Sequence, residues 1–155
     1  MADILRHVIL ETPVGKLAAA FDDAGALTEL KFGGADVPSA PGDVEALAAQ
    51  LDEYFCGRRK TFELSLAPRG TEFQRSVWME LLKVPYGATI TYAELARRIG
   101  KPSAVRAVGA ANGANPIPVI IPCHRVIGSN GTLTGYGGGI ERKQWLLALE
   151  GCRLF

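Results

Sequence analysis

At 155 residues, with 48% hydrophobic and 21% charged side chains, the chain has the composition of a folded protein, one ordinary domain or two small ones, which excludes a disordered chain. No apolar run approaches the roughly 18 residues a membrane helix needs, so no membrane partner is expected. The net charge of +1 conceals a division: residues 1–69 hold seven Lys and Arg against eleven Asp and Glu, and residues 70–155 hold ten against five. A basic half attracts phosphate backbone, although a solvated surface that merely varies gives the same imbalance. Three cysteines, Cys56, Cys123 and Cys152, leave one unpaired in any disulfide scheme. The first residues lack the apolar core of a secretory signal, so the cytoplasm is the expected location.

Apolar residues at 5–10 and 16–21 surround Pro13-Val14-Gly15, and 27–32 follow the turn signal Asp22-Asp23-Ala24-Gly25. These stretches predict a small antiparallel meander. A loop at 33–41 leads to Val44, Leu47, Ala48, Leu51 and Phe55, spaced for an amphipathic helix of about three turns ending at Gly57. Phe62, Leu64 and Leu66 alternate with Glu63 and Ser65 as a further strand. His7 and Cys56 stand alone and read as packing or surface residues. This half is expected to be a structural α/β domain, 1–69, linked through Pro68-Arg69-Gly70 to a second domain, 70–155.

Thr71-x-x-Gln74 has capping-box form and opens a helix expected from Glu72 to Val84, stopped by Pro85. A second such box, Thr91 to Glu94, opens a short helix to Arg98, broken at Gly100-Lys101-Pro102. Ser103 is expected to cap the next helix, 104–112. Two short helices around a glycine-containing turn form a helix-turn-helix. Ala104, Ala107, Gly109, Ala110, Ala111 and Gly113 strip the second helix of bulk, although glycine costs about 1 kcal/mol against alanine inside a helix. The small residues therefore point to close approach by a partner, or to tight packing in a core.

Pro116, Pro118 and Pro122 bracket Val119-Ile120-Ile121, which rules out a long helix and predicts a short buried extended segment delivering Cys123. His124 and Arg125 can be cationic, and a nearby positive charge lowers a thiol pKa from about 8.5 toward roughly 3.5–7.5. Cys123 reads as a thiolate nucleophile or as a buried structural cysteine. Residues 128–131 form a turn, 135–139 a glycine-rich loop around Tyr136, and 140–150 a final helix ending at Gly151.

Pro122-Cys-His-Arg-Val126, with Asn115-Pro116 before it and Gly135-Tyr-Gly-Gly-Gly139 after it, resembles the active-site region of the O6-alkylguanine-DNA alkyltransferases. The likeness runs from about Gly70 to Phe155 and includes Phe73-Gln74, Val77-Trp78, Pro85-Tyr-Gly87, Thr91-Tyr92, Arg106-Ala-Val-Gly109 and Glu150-Gly151; the first 69 residues match loosely. It implies an α/β (α+β) architecture, a small ribonuclease-H-like sheet with a helix followed by a mostly helical domain. It also implies direct reversal of DNA damage by a single-turnover methyltransferase: Cys123 takes the alkyl group from O6-alkylguanine in double-stranded DNA, is consumed, and needs no cofactor. O4-alkylthymine, alkyl size and cooperativity on DNA are left open, and a monomer is expected.

By the same resemblance Glu150 holds His124, which polarises a water against the Cys123 thiol, and Asn115 ties the active-site turn together. Tyr92 rotates a phosphate and donates to the base at N3, and Arg106 fills the gap left by the flipped nucleotide in the minor groove. Thr91, Ser103, Ala104, Ala107, Ala110, Ala111 and Arg125 are expected to line the DNA contact, and Val126, Tyr136 and Gly137 the base pocket. Some members hold zinc in the first half, but tetrahedral zinc takes four ligands and His7 and Cys56 are too few, so no metal is expected. A binding module that recognises damage without repair is the alternative; relatives of that kind lack the reactive cysteine. A cysteine hydrolase lacks a separate histidine base, since only His7 and His124 exist.

Overall fold

The computed structural model describes residues 8–33, 42–131, 133, 136 and 138–152. The fold is mixed α/β, with a small antiparallel three-stranded sheet and, among the described residues, five α-helices. Two compact units divide the chain, Met1–Arg69 and Gly70–Phe155.

In the first unit, β1 (Val8–Thr12), β2 (Gly15–Phe21) and β3 (Leu27–Phe32) form the meander in that order. Its turns are fixed locally: Thr12 Oγ1 donates to Gly15 O at 2.6 Å, and Asp22 Oδ1 accepts from the backbone of Ala24 and Ala26 at 3.0 and 2.9 Å. Helix α1 (Val44–Phe55) is capped by Asp43, whose Oδ1 accepts from Ala46 N at 2.9 Å, and buries Leu47, Leu51, Tyr54 and Phe55. The further strand expected at 62–66 reduces to a single bridge between Leu27 and Leu66. The physical reason is Gln50: its side-chain amide donates to Glu63 O (3.1 Å) and accepts from Glu63 N (2.8 Å), supplying from a helix the pairing that a neighbouring strand would give.

In the second unit, α2 (Glu72–Leu81) begins with the complete Thr71/Gln74 capping box and ends three residues before the expected Val84. Its inward face is Val77, Trp78 and Leu81, and the Trp78 indole donates to Ala111 O at 2.8 Å. A two-residue strand, β4 (Ile90–Thr91), runs directly into α3 (Tyr92–Arg98), where Thr91 Oγ1 accepts from Glu94 N at 3.1 Å. The second half of that box is missing, because the Glu94 carboxylate turns to Arg97 and Arg98 at 2.6–2.9 Å. Helix α4 (Val105–Gly113) has Ala104 as its N-cap with no side-chain cap, so Ser103 does not cap it; Ala104 N instead closes a turn onto Lys101 O at 2.9 Å. The parallel pair of β4 with β5 (Val126–Ile127) and helix α5 (Ile140–Leu149) complete the unit.

Candidate active site

Between α4 and β5 the chain makes a turn, where the proline-bracketed run predicts an extended segment. Ile121 N donates to Ile117 O at 2.9 Å, and Val119 sits at φ 73°. A β-branched residue in that region is a strained outlier, held here by its surroundings at 1% exposure. Asn115 occupies the backbone groups that a strand would have paired: its Oδ1 accepts from Ile117 N at 3.0 Å and its Nδ2 donates to Ile121 O at 2.7 Å. One 3-10 turn, Cys123–Arg125, follows and feeds β5, whose pairing with β4 fixes Thr91 beside Ile127.

Glu150, immediately after α5, gathers the residues of that turn. Its Oε2 lies 2.8 Å from His124 Nε2, while Arg125 donates from Nε to Oε1 (2.8 Å) and from Nη2 to Oε2 (2.9 Å). Arg125 also donates from Nη1 to Val84 O at 2.7 Å and stacks over the Tyr86 ring at 5.8 Å. Burial alone would raise the Glu150 carboxyl, but the hydrogen bonds from His124 and Arg125 outweigh it and hold it at about 2. An ionised carboxylate can only accept, so Nε2 carries the hydrogen. Burial lowers the His124 pKa despite Glu150, leaving a neutral ring whose lone pair is on Nδ1. That Nδ1 is buried with no hydrogen-bond partner in the structure.

The Glu150 pairing has a pH signature. Because the folded carboxyl titrates at about 2 against 4.5 unperturbed, its contribution is complete above pH 4.5 and drains away as pH falls toward 2. The expected loss is on the order of 3 kcal/mol. Urea unfolding across that window checks this, and Glu150→Gln flattens the dependence.

Cys123 departs from the cation-activated thiolate of the sequence reading. The residue is 5% exposed, and burial raises its thiol to about 11 despite a hydrogen bond with Asn115 and the charge of Lys143. Neither neighbouring residue in the motif supplies the charge, since His124 is neutral and the Arg125 guanidinium is bound to Glu150. Lys143, on α5, is the cation that acts on the thiol. It is fully buried, donates from Nζ to Val126 O at 2.6 Å, and is pushed down to about 8 by burial, against the pull of Cys123. Sequence reading passed over Lys143 although the signal was present: Lys143, Leu146, Leu147 and Glu150 recur at i, i+3, i+4 and i+7, one buried face of a helix.

Of the other predicted site residues, Tyr92 opens α3 half-buried, and a Cβ added at Gly109 would stand 3.8 Å from its ring, in ordinary contact. Arg106, Ala107 and Ala110 are exposed on α4, Ser103 is exposed before it, and Thr91 and Ala104 are half-buried. Two predicted DNA contacts are turned inward. Ala111 is 2% exposed beneath Trp78, and Arg125 is 6% exposed with its donors committed to Glu150 and Val84, so neither presents a surface to a duplex. Val126 is fully buried with its carbonyl facing Lys143. The Tyr136 phenol is raised well above 10 by burial and by the Cys123 charge, which places it in the same environment as the thiol. Gly137 lies outside the described residues. Among the described residues no three His, Cys, Asp or Glu side chains come together as metal ligands.

The family described as 6-O-methylguanine DNA methyltransferase, DNA binding domain, matches residues 72–152. The methylated-DNA–protein-cysteine methyltransferase of Methanosarcina acetivorans is 48% identical over 153 residues, 94% of this chain and 97% of that one. That of Mycolicibacterium paratuberculosis is 47% identical over 95% of this chain and 93% of its own. The crystal structure of Mycobacterium tuberculosis OGT in complex with DNA superposes with a TM-score of 0.86 at 47% identity, across 93% of this chain and 91% of that one. With near-complete coverage in sequence and in fold, the chain belongs to the methylated-DNA–protein-cysteine methyltransferase family.

Proposed function

We propose that this chain repairs DNA by direct reversal, moving the alkyl group from O6 of an alkylated guanine in duplex DNA onto Cys123 in a single irreversible displacement. The observation that carries this reading is the buried Cys123 in the 3-10 turn whose next residue, His124, is kept neutral by burial and is oriented by Glu150 at 2.8 Å so that its lone pair lies on Nδ1. A thiol raised to about 11 is almost wholly protonated at neutral pH, so the reaction needs a base at the moment of attack. His124 Nδ1 takes the thiol proton through one water, as the family resemblance implies. The sulfur then attacks the alkyl carbon as the carbon–O6 bond breaks, and the electron pair returns to the purine. Tyr92 donates to N3 where that charge spreads. The proton held by His124 returns through solvent to the purine, so the products are guanine and a thioether. One chain is spent per lesion.

The second unit carries the chemistry and the DNA contacts, and the first unit supports it. The exposed face of α4, with Arg106 and small residues, enters the minor groove, and Arg106 fills the space of the flipped base. Extruding a base costs a few kcal/mol, so Arg106→Ala is expected to slow transfer from duplex about 10- to 100-fold. Transfer from the free O6-methylguanine base, which needs no flipping, stays near the wild-type rate; competition kinetics with the two substrates checks this. The chain acts as a monomer in the cytoplasm, where its three free thiols stay reduced. Among the described residues no helix is long and apolar enough to cross a membrane.

The test is stoichiometry of repair on a duplex holding one O6-methylguanine. Guanine restored in an amount equal to protein added, and none restored by Cys123→Ser, is the expected result. A lesion bound tightly but left unchanged by the wild-type chain supports damage recognition without repair and overturns the proposal.

A further inference from the structure

Helix α4 carries a polar residue on the wrong face. Arg106, Ala107 and Ala110 face outward, while Val108, Ala111 and Asn112 are buried, Asn112 at 3% exposure. An amide inside a core is unfavourable unless it is hydrogen-bonded. Asn112 Nδ2 donates to Cys123 O at 3.3 Å, and because a carbonyl only accepts, the nitrogen is the end that faces it. The same carbonyl accepts the Val126 N–H that closes the 3-10 turn, so Asn112 occupies its second acceptor position. The other end of the amide, Oδ1, is buried with no hydrogen-bond partner in the structure. One long hydrogen bond between neutral groups returns little net stability, so an apolar side chain of similar volume would cost little stability. What the amide does that an apolar group cannot is tie α4 to the backbone of Cys123.

We infer that Asn112 is a positioning residue, locking the carbonyl of Cys123 to helix α4 so that docking of the helix on DNA and alignment of the sulfur are one mechanical event. This rests on the reading of Cys123 as alkyl acceptor. Ala111, the preceding residue, is pinned through its own carbonyl by the Trp78 indole at 2.8 Å, which stiffens the end of the helix from which Asn112 reaches. In-line displacement is sensitive to such alignment: a shift of about 1 Å costs on the order of 100-fold in rate.

The experiment is single-turnover transfer from O6-methylguanine duplex by wild type, Asn112→Leu and Asn112→Ala. DNA concentration is varied to separate the saturating rate from half-saturation, and thermal unfolding is recorded in parallel. Expected for Asn112→Leu are a melting temperature near that of wild type, an unchanged half-saturating DNA concentration, and a saturating rate lowered about 10- to 100-fold. Asn112→Ala keeps the rate loss even if it melts lower. Saturating rates within about threefold of wild type in both variants overturn the inference. So does a rate loss confined to the variant that melts lower, because that is a packing effect. Failure of the wild-type chain itself to transfer sinks the reading of Cys123 instead, and is distinguishable from equal rates in wild type and variants.

Discussion

Glu150→Ala is expected to lose about 3–5 kcal/mol of folding stability at neutral pH, the cost of leaving a buried charge without its partner. The Arg125 guanidinium is 6% exposed and gives two of its donors to this carboxylate, so removing the carboxylate leaves a buried cation with Val84 O and the face of the Tyr86 ring as its remaining contacts. His124 loses the acceptor that fixes its tautomer at the same time. Transfer by whatever fraction remains folded should therefore fall well beyond the loss in folded protein. Urea unfolding combined with single-turnover transfer separates the two effects. A stability loss under about 1 kcal/mol would mean the pair is solvated and worth no more than a surface ion pair, contrary to its burial.

Lys143→Met is expected to move stability and activity in opposite directions. The ammonium titrates at about 8 in the folded chain against 10.5 unperturbed. Its burial therefore destabilises folding in full below pH 8, and the penalty is relieved as pH rises from 8 to 10.5. An apolar side chain of similar length removes that penalty and leaves Val126 O without this donor, so stability at pH 7 should be unchanged or higher. The thiol, already at about 11, loses the cation that opposes its burial. Each unit of further rise lowers the thiolate population tenfold, so transfer at pH 7 should fall about 10- to 100-fold. Mass-resolved iodoacetamide labelling of the Cys123 peptide across pH gives the thiol titration directly. A variant that is less stable yet equally reactive would contradict this assignment.

Much of the site could be read from residue order, and the gaps have physical causes. Residue type and order single out Cys123, His124 and Arg125, whereas Asn115 and Glu150 enter only through the family resemblance, because Glu150 stands 26 residues beyond His124 and meets it only in the fold. The electrostatics were not legible. A sequence places His124 and Arg125 beside the thiol, but only the fold reveals that Glu150 consumes one charge and burial removes the other. Prolines exclude helix and so predict extension for the bracketed run; the turn that forms instead depends on the local side-chain hydrogen bonds of Asn115 with Ile117 N and Ile121 O and on Val119 at φ 73°, which backbone propensity does not carry. Ala111 and Arg125 are expected at the DNA contact through the family resemblance. Helical phase would have turned Ala111 inward with Val108 and Asn112, and would have flagged Lys143 on the buried face of α5. In the first unit, a strand pattern at 62–66 was satisfied by a glutamine from α1, which period-2 alternation cannot distinguish from a neighbouring strand.

The most direct measurement is the intact mass of the chain after mixing with a duplex carrying one O6-methylguanine, followed by digestion to locate any added group. Conversion of the population to a species heavier by one methyl in place of one hydrogen, mapped to the peptide holding Cys123 and absent in Cys123→Ser, is the predicted result. An unchanged mass, or a methyl mapped to Cys56 or Cys152, would contradict the assignment of Cys123 as the acceptor.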